Sequence, residues 1–276
     1  MTGMSRKRRR ALRKWMAVTA VLAVLACAAI AAAVLLKNRE EGADITDADA
    51  GPAQAVTEQR EQPESDPVTE PEEIPYEGIP EADFEELWKT NTDVCAWITV
   101  PGTQVDYPVL QNASSQDLHD TYYLEHTFER ASGLPGAIYI EPCNAGDFTD
   151  LNTVIYGHNM KNGSMFGSLH EFEDNEFFDE HEYVYLVTPE KILVYRIFAA
   201  VVYSDRHLTG TFDFTTEEGC QVFLDELAGN RDMRDQFRED VEVTAGERMV
   251  TLSTCVKGED DRRLLIGAVL TDEYEH

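Results

Sequence analysis

The chain has 276 residues, 43% hydrophobic and 27% charged, and its 52 Asp and Glu outweigh 23 Lys and Arg to give a formal net charge of −29. So acidic a balance excludes nucleic acid as a partner, since phosphate would be repelled, and disfavours docking on an anionic lipid surface. Once the non-globular residues 1–80 are set aside, the length leaves one domain large enough to bury its own core.

Residues 1–14 carry the basic run SRKRRRALRK, and 15–36 form an uncharged apolar stretch, WMAVTAVLAVLACAAIAAAVLL. That is the length that spans a bilayer. A cleavable signal peptide has a shorter apolar core, and only the small residues at 28–33 point toward that alternative. Cys27 resembles a lipoprotein cysteine, yet nine apolar residues follow it where a mature lipoprotein turns polar. Basic residues precede the span and acidic ones follow, so the expected location is the cell membrane, single-pass, with the N-terminus cytoplasmic and the remainder outside. Residues 37–80 are rich in Glu, Asp and Pro without hydrophobic period, the composition of an extended disordered spacer.

The folded part, 81–276, opens on EADFEELWKT, where Phe84, Leu87 and Trp88 share one face of a short helix. Eight strand-like runs follow, at 97–100, 105–110, 137–140, 153–158, 183–187, 192–203, 249–255 and 263–270, each rich in β-branched and aromatic residues. SMFGSLHEF and 215–229 read as helices between them, and the second begins with Thr and two Glu. Many short strands with few helices predict a mainly β barrel or sandwich.

Three strand ends carry chemistry. Cys255 closes the run MVTLSTC with Lys257, Arg262 and Arg263 nearby, and neighbouring cations favour the nucleophilic thiolate; a buried structural cysteine is the plain alternative. His158 closes NTVIYGH at a glycine-marked turn, where rigid scaffolds present functional side chains, and His207 is its one serious rival. Arg263 opens the last run, where it either pairs with Glu259, Asp260 or Asp261 or stabilises an oxyanion. Ser253 lies two residues before Cys255, on the same side of the strand. Cys95, Cys143 and Cys220 show no compact disulfide framework, and neither CxxC nor HExxH spacing occurs, so no metal centre or cofactor is expected.

TLSTC followed by RRLLIGAVL, with NTVIYGHNMKNGSMFGSL and DVCAWITVPGTQVDYPVLQ upstream, resembles the sortase family, and within it the class B sortases, over nearly all of 82–272. The resemblance implies an eight-stranded sortase-type β-barrel with an N-terminal helix and further helices in the connections. It implies that Cys255 is the nucleophile, His158 the acid/base and Arg263 the third essential group. Arg263 is chosen over Arg262 because the family places its hydrophobic triplet directly after that arginine. A role for Ser253 in contacting substrate is similar to the family's usage.

The implied activity is that of a cysteine transpeptidase. It cleaves a C-terminal sorting-signal peptide of a secreted protein after Thr and transfers the acyl group to a peptidoglycan amine, without a metal or cofactor. A pilin lysine as acceptor, hydrolysis by a cysteine endopeptidase, and a membrane-tethered binding module without enzymatic activity are the alternatives. Specificity is expected in the segment 204–247.

Overall fold

The computed structural model of the protein describes Ile79 and residues 81–275. The basic segment, the apolar run at 15–36 and nearly all of the acidic spacer lie outside these residues. Among the described residues no helix is long and apolar enough to cross a membrane.

Helix α1 (Phe84–Thr90) is capped by the Asp83 side chain, which accepts from the Glu86 amide at 3.0 Å. Strands β1 (Val94–Thr99), β2 (Asp106–Gln111), β3 (Ile138–Ile140) and β4 (Asn152–Tyr156) follow. A 3-10 helix at Gly167–Glu173 and α2 (Asn175–Glu180) lead to β5 (Tyr183–Val187) and the long β6 (Lys191–Ser204). Then come α3 (Leu208–Thr211), α4 (Glu217–Gly229), β7 (Gln236–Phe237), β8 (Met249–Val256) and β9 (Glu259–Glu275). All eight expected strands are present. The SMFGSLHEF segment winds as a 3-10 helix over Gly167–Glu173, and the second predicted helix is α4, capped by Thr216.

The strand order β5-β1-β2-β3-β4-β8-β9-β6 closes on itself through an added β5–β6 pairing, giving an eight-stranded barrel. β7, not expected from the sequence, pairs with Ala199 and Ala200 of β6. A two-residue strand carries no detectable alternation. Side chains facing inward, among them Ile98, Ile155, Val250, Leu252, Val256, Leu264 and Ile266, form one core. Outward-facing Val154, Tyr203, Met249, Leu265 and Val269 form a second core under α4, whose Cys220, Phe223 and Leu227 cover them.

Two strand junctions shape the outer face of the barrel. β4 and β8 run parallel, with Tyr156 beside Ser253, although 97 positions separate them in the chain. β8 and β9 are antiparallel and are joined by a tight turn. Lys257 and Gly258, the latter at φ +82°, make the turn. Cys255 pairs with Arg263 but Val256 with Glu259, so residues 260–262 bulge from β9 without partners on β8. β9 therefore begins at Glu259, four residues before the arginine expected to open it.

Candidate active site

Alternation along β8 decides which residues face out. Val250, Leu252 and Val256 point into the barrel, which turns Ser253 and Cys255 to the outer face. Cys255 is exposed and Ser253 is buried beside it. On β9 the same alternation puts Leu264 inside and Arg263 outside, directly across the ladder from Cys255. Arg262 stands one residue out of phase, opposite Ser204 of β6.

His158 reaches the same face from β4. The parallel pairing extends past Tyr156, with the Gly157 amide donating to the Ser253 carbonyl at 3.2 Å and the Thr254 hydroxyl to the Gly157 carbonyl at 2.8 Å. One further step on each strand brings His158 alongside Cys255. Gly157 makes this possible, because a Cβ there would lie 2.5 Å from Ile138 Cδ1 and 2.7 Å from the Phe166 ring. The His158 carbonyl accepts from the Phe166 amide at 2.9 Å, so the backbone is fixed at both sides of the imidazole. Nε2 of His158 lies 2.7 Å from the Leu124 carbonyl. A carbonyl only accepts, so Nε2 carries a hydrogen and Nδ1 is left as the proton-exchanging nitrogen.

Cys255, His158, Arg263 and Ser253 line one cavity of about 230 Å³, with Tyr139, Tyr156 and Leu265 as apolar neighbours and Ser204, Asp205, Arg206, His207 and Leu208 along one wall. The Tyr139 and Tyr156 rings stack at 5.3 Å, and both phenols are pushed up by burial and then by the negative charge of Glu141 behind them. Arg263 Nη1 donates to the Asp260 and Arg262 carbonyls at 3.1 and 2.8 Å, so the bulge itself holds the guanidinium. Arg206, the other cation of the cavity, is bound to Glu226 and the Tyr203 hydroxyl. His207, the rival histidine, lines the same cavity.

The described cysteines are all free thiols. Burial pushes Cys95 up to about 12 and Cys220 to about 11, and burial together with the charge of Glu141 pushes Cys143 to about 11. Burial thus favours the thiol form of all three, Cys143 included, although His119 lies near it.

Sequence reasoning missed a group behind Cys255. The Asn159 amide donates to the Cys255 carbonyl at 2.8 Å, and His170 Nε2 lies 3.0 Å from that oxygen and 2.9 Å from Asn159 Nδ2. His170 Nδ1 is bound to Glu173. Doubly protonated, the ring donates to Glu173 and to Cys255; neutral, with Nδ1–H on Glu173, it accepts from Asn159, which then holds the carbonyl alone. The position of Asn159 directly after His158 was the one available signal. His170 sits on the 3-10 helix, with nothing in its spacing to mark it.

The Sortase domain family model matches residues 98–271. Sortase B of Staphylococcus aureus is 30% identical over 187 residues, which cover 67% of this chain and 73% of that protein. The solved complex of Staphylococcus aureus sortase B with substrate superposes with a TM-score of 0.57 at 29% identity, covering 68% of this chain and 84% of that one. A class B sortase of Streptococcus pyogenes involved in pilus biogenesis gives 0.57 at 27% identity, covering 68% and 98%. With the closed barrel already established, these matches make the chain a member of the sortase family, a cysteine transpeptidase of the class B type.

Proposed function

We propose that this transpeptidase cuts a sorting motif near the C-terminus of a secreted protein after threonine and passes the acyl group to an amine of peptidoglycan. The observation that carries the assignment of roles is the opening of Cys255, His158 and Arg263 into one cavity, from three strands, around the one exposed thiol among the described residues.

The Cys255 thiolate attacks the threonine carbonyl carbon, and the electron pair of the C=O bond moves to oxygen. Arg263 exchanges its bonds to the bulge carbonyls for this oxyanion, which its fixed charge stabilises. As the oxyanion collapses the C–N bond breaks, and the proton on His158 Nδ1 passes to the departing amine, leaving a thioester. An acceptor amine then attacks the thioester and yields a proton to Nδ1. The C–S bond breaks, an amide forms and the thiolate returns. Ser253, on the cavity floor, contacts the bound motif.

The apolar run at 15–36 anchors the chain in the cell membrane with its N-terminus inside, and the acidic spacer holds the barrel outside, where substrates tethered by their own apolar tails arrive. The role of the Streptococcus pyogenes relative in pilus biogenesis makes a pilin lysine the second class of acceptor.

Incubating the enzyme with a threonine-containing sorting peptide, alone and with either a peptidoglycan-type amine or a lysine peptide, tests the reading. A new amide product, and a thioester on Cys255 by mass spectrometry, are expected. Cleavage indifferent to both amines would instead identify a hydrolytic cysteine endopeptidase.

A further inference from the structure

Glu141, just past β3, is 1% exposed, and its ion pairs among the described residues come from His119 and His207 alone. A carboxylate removed from water needs a compensating positive charge. His207 Nε2 lies 2.6 Å from Oε1, close enough for a strong hydrogen bond. The other oxygen is different. His119 Nδ1 stands 3.4 Å from Oε2 and Cys143 Sγ stands 3.7 Å from it, and these three ligand atoms all lie within 4.8 Å of one another.

The His119 distance is long for a hydrogen bond and the Cys143 distance is that of a weak S–H donor, so neither contact is strong. Both separations suit ligands of one tetrahedral ion, since metal bonds of about 2.0 to 2.3 Å place neighbouring ligand atoms about 3.3 to 3.8 Å apart. The Thr209 hydroxyl sits at the convergence, bound to Glu141 and 3.2 Å from both His119 Nδ1 and His207 Nε2. For an ion to occupy the centre, this hydroxyl must turn aside about its Cα–Cβ bond. The side chains of His119 and His207 are 42% and 44% exposed, and Cys143 and Thr209 line a separate cavity of about 360 Å³, so an ion has a path in.

We propose that His119, Glu141 and Cys143 bind a divalent transition-metal ion of the Zn²⁺ class, with His207 holding the carboxylate in place through its second oxygen. The mixed nitrogen, oxygen and sulfur set selects such an ion over Mg²⁺ or Ca²⁺, which prefer all-oxygen shells. On binding, Cys143 releases its proton to solvent and the sulfur–metal bond forms. Glu141 and Cys143 are two residues apart, but His119 lies 22 residues before Glu141, so no compact ligand spacing announces the set. If the transpeptidase assignment holds, the ion has a structural consequence: His207 and Leu208 line the substrate cavity, and tying His207 to a metal-bound Glu141 fixes that side of it.

Titration of the full-length chain with Zn²⁺ by calorimetry, and with Co²⁺ by absorbance, tests this. The Cys255→Ala background keeps the catalytic thiol out of the measurement. One equivalent of Zn²⁺ should bind with a sulfur-to-cobalt charge-transfer band in the Co²⁺ form, and excess Mg²⁺ or Ca²⁺ should not displace it. Adding Cys143→Ser should abolish the band, and His119→Ala, at a more exposed position, should weaken binding by at least roughly tenfold. Absence of a bound equivalent, or binding unchanged by both substitutions, would overturn the site. Because the readout is binding, loss of transpeptidation is a separate result and bears only on the catalytic assignment.

Discussion

Each residue of the proposed triad does what its neighbours allow. Cys255→Ala removes the one exposed thiol among the described residues and should lower transfer by at least about 10³-fold, with His158→Ala close behind, measured as amide product under saturating peptide. Arg263→Lys keeps the charge but loses the planar fork and its two carbonyl bonds, so a loss of roughly 10²-fold is expected. Full activity in any of the three would remove that residue from the mechanism. Asn159→Ala frees the Cys255 carbonyl without touching substrate, and should reduce kcat roughly 10- to 100-fold with KM little changed. A merely structural Asn159 would leave kcat intact in whatever fraction stays folded. Gly157→Ala forces a methyl group into Ile138 and Phe166, costing about 1 to 3 kcal/mol in chemical denaturation and misplacing His158. At this scale much was legible beforehand: the types and positions of Cys255, His158, Arg263 and Ser253 stood out because three of them end or open apolar runs. The Asn159–His170–Glu173 group did not, since its meaning lies in hydrogen bonds to a backbone oxygen 96 and 85 residues away from the first two.

At the scale of elements, the β8–β9 turn is the piece on which the site depends. Arg234, two residues before β7, grips it from outside. Its guanidinium donates to Glu259 at 2.8 and 3.2 Å and to Asp232 at 2.8 and 2.9 Å, and lies 3.8 Å from Glu173. The first of these residues opens β9, and the last orients His170. The hydrogen bonds from Arg234 hold the Asp232 carboxyl down to about 2. Since the folded value lies below the ordinary one near 4, the pair's contribution to stability is fully present above about pH 4 and is lost as pH falls through about 2. Thermal melts of wild type and Arg234→Met across pH 2 to 6 should converge toward the acid end and separate above it; parallel curves would show that the pair is not coupled to folding. The substitution should also loosen the turn and lower kcat. The strands flanking this turn were readable from β-branched runs, but the bulge at 260–262 was not. A bulge is a choice of register between two strands, and the charged residues 259–262 carry no alternation from which to read it.

Across the whole molecule, the barrel assembles by joining distant segments, and the parallel β4–β8 seam is the most consequential because it sets thiol beside imidazole. A chain starting at residue 79 contains every described element and should retain transfer to a soluble peptide, and under the proposed anchor it should no longer partition with membranes as the full-length chain would. Inactivity of the correctly folded shorter chain would show that the N-terminal segments take part in the chemistry, and its retention on membranes would refute the anchor at 15–36. By itself the sequence determined eight of the nine strands and the mainly β class, and it singled out the candidate reactive side chains, because hydrophobic period and residue chemistry are local properties that survive in a string of letters. Only the tertiary structure decided that β5 closes onto both β1 and β6, that residues 260–262 bulge from the ladder, and that Glu141 gathers two histidines and a cysteine. Those outcomes depend on which strands pair and in what register, a competition among contacts far apart in the chain that no window along it contains.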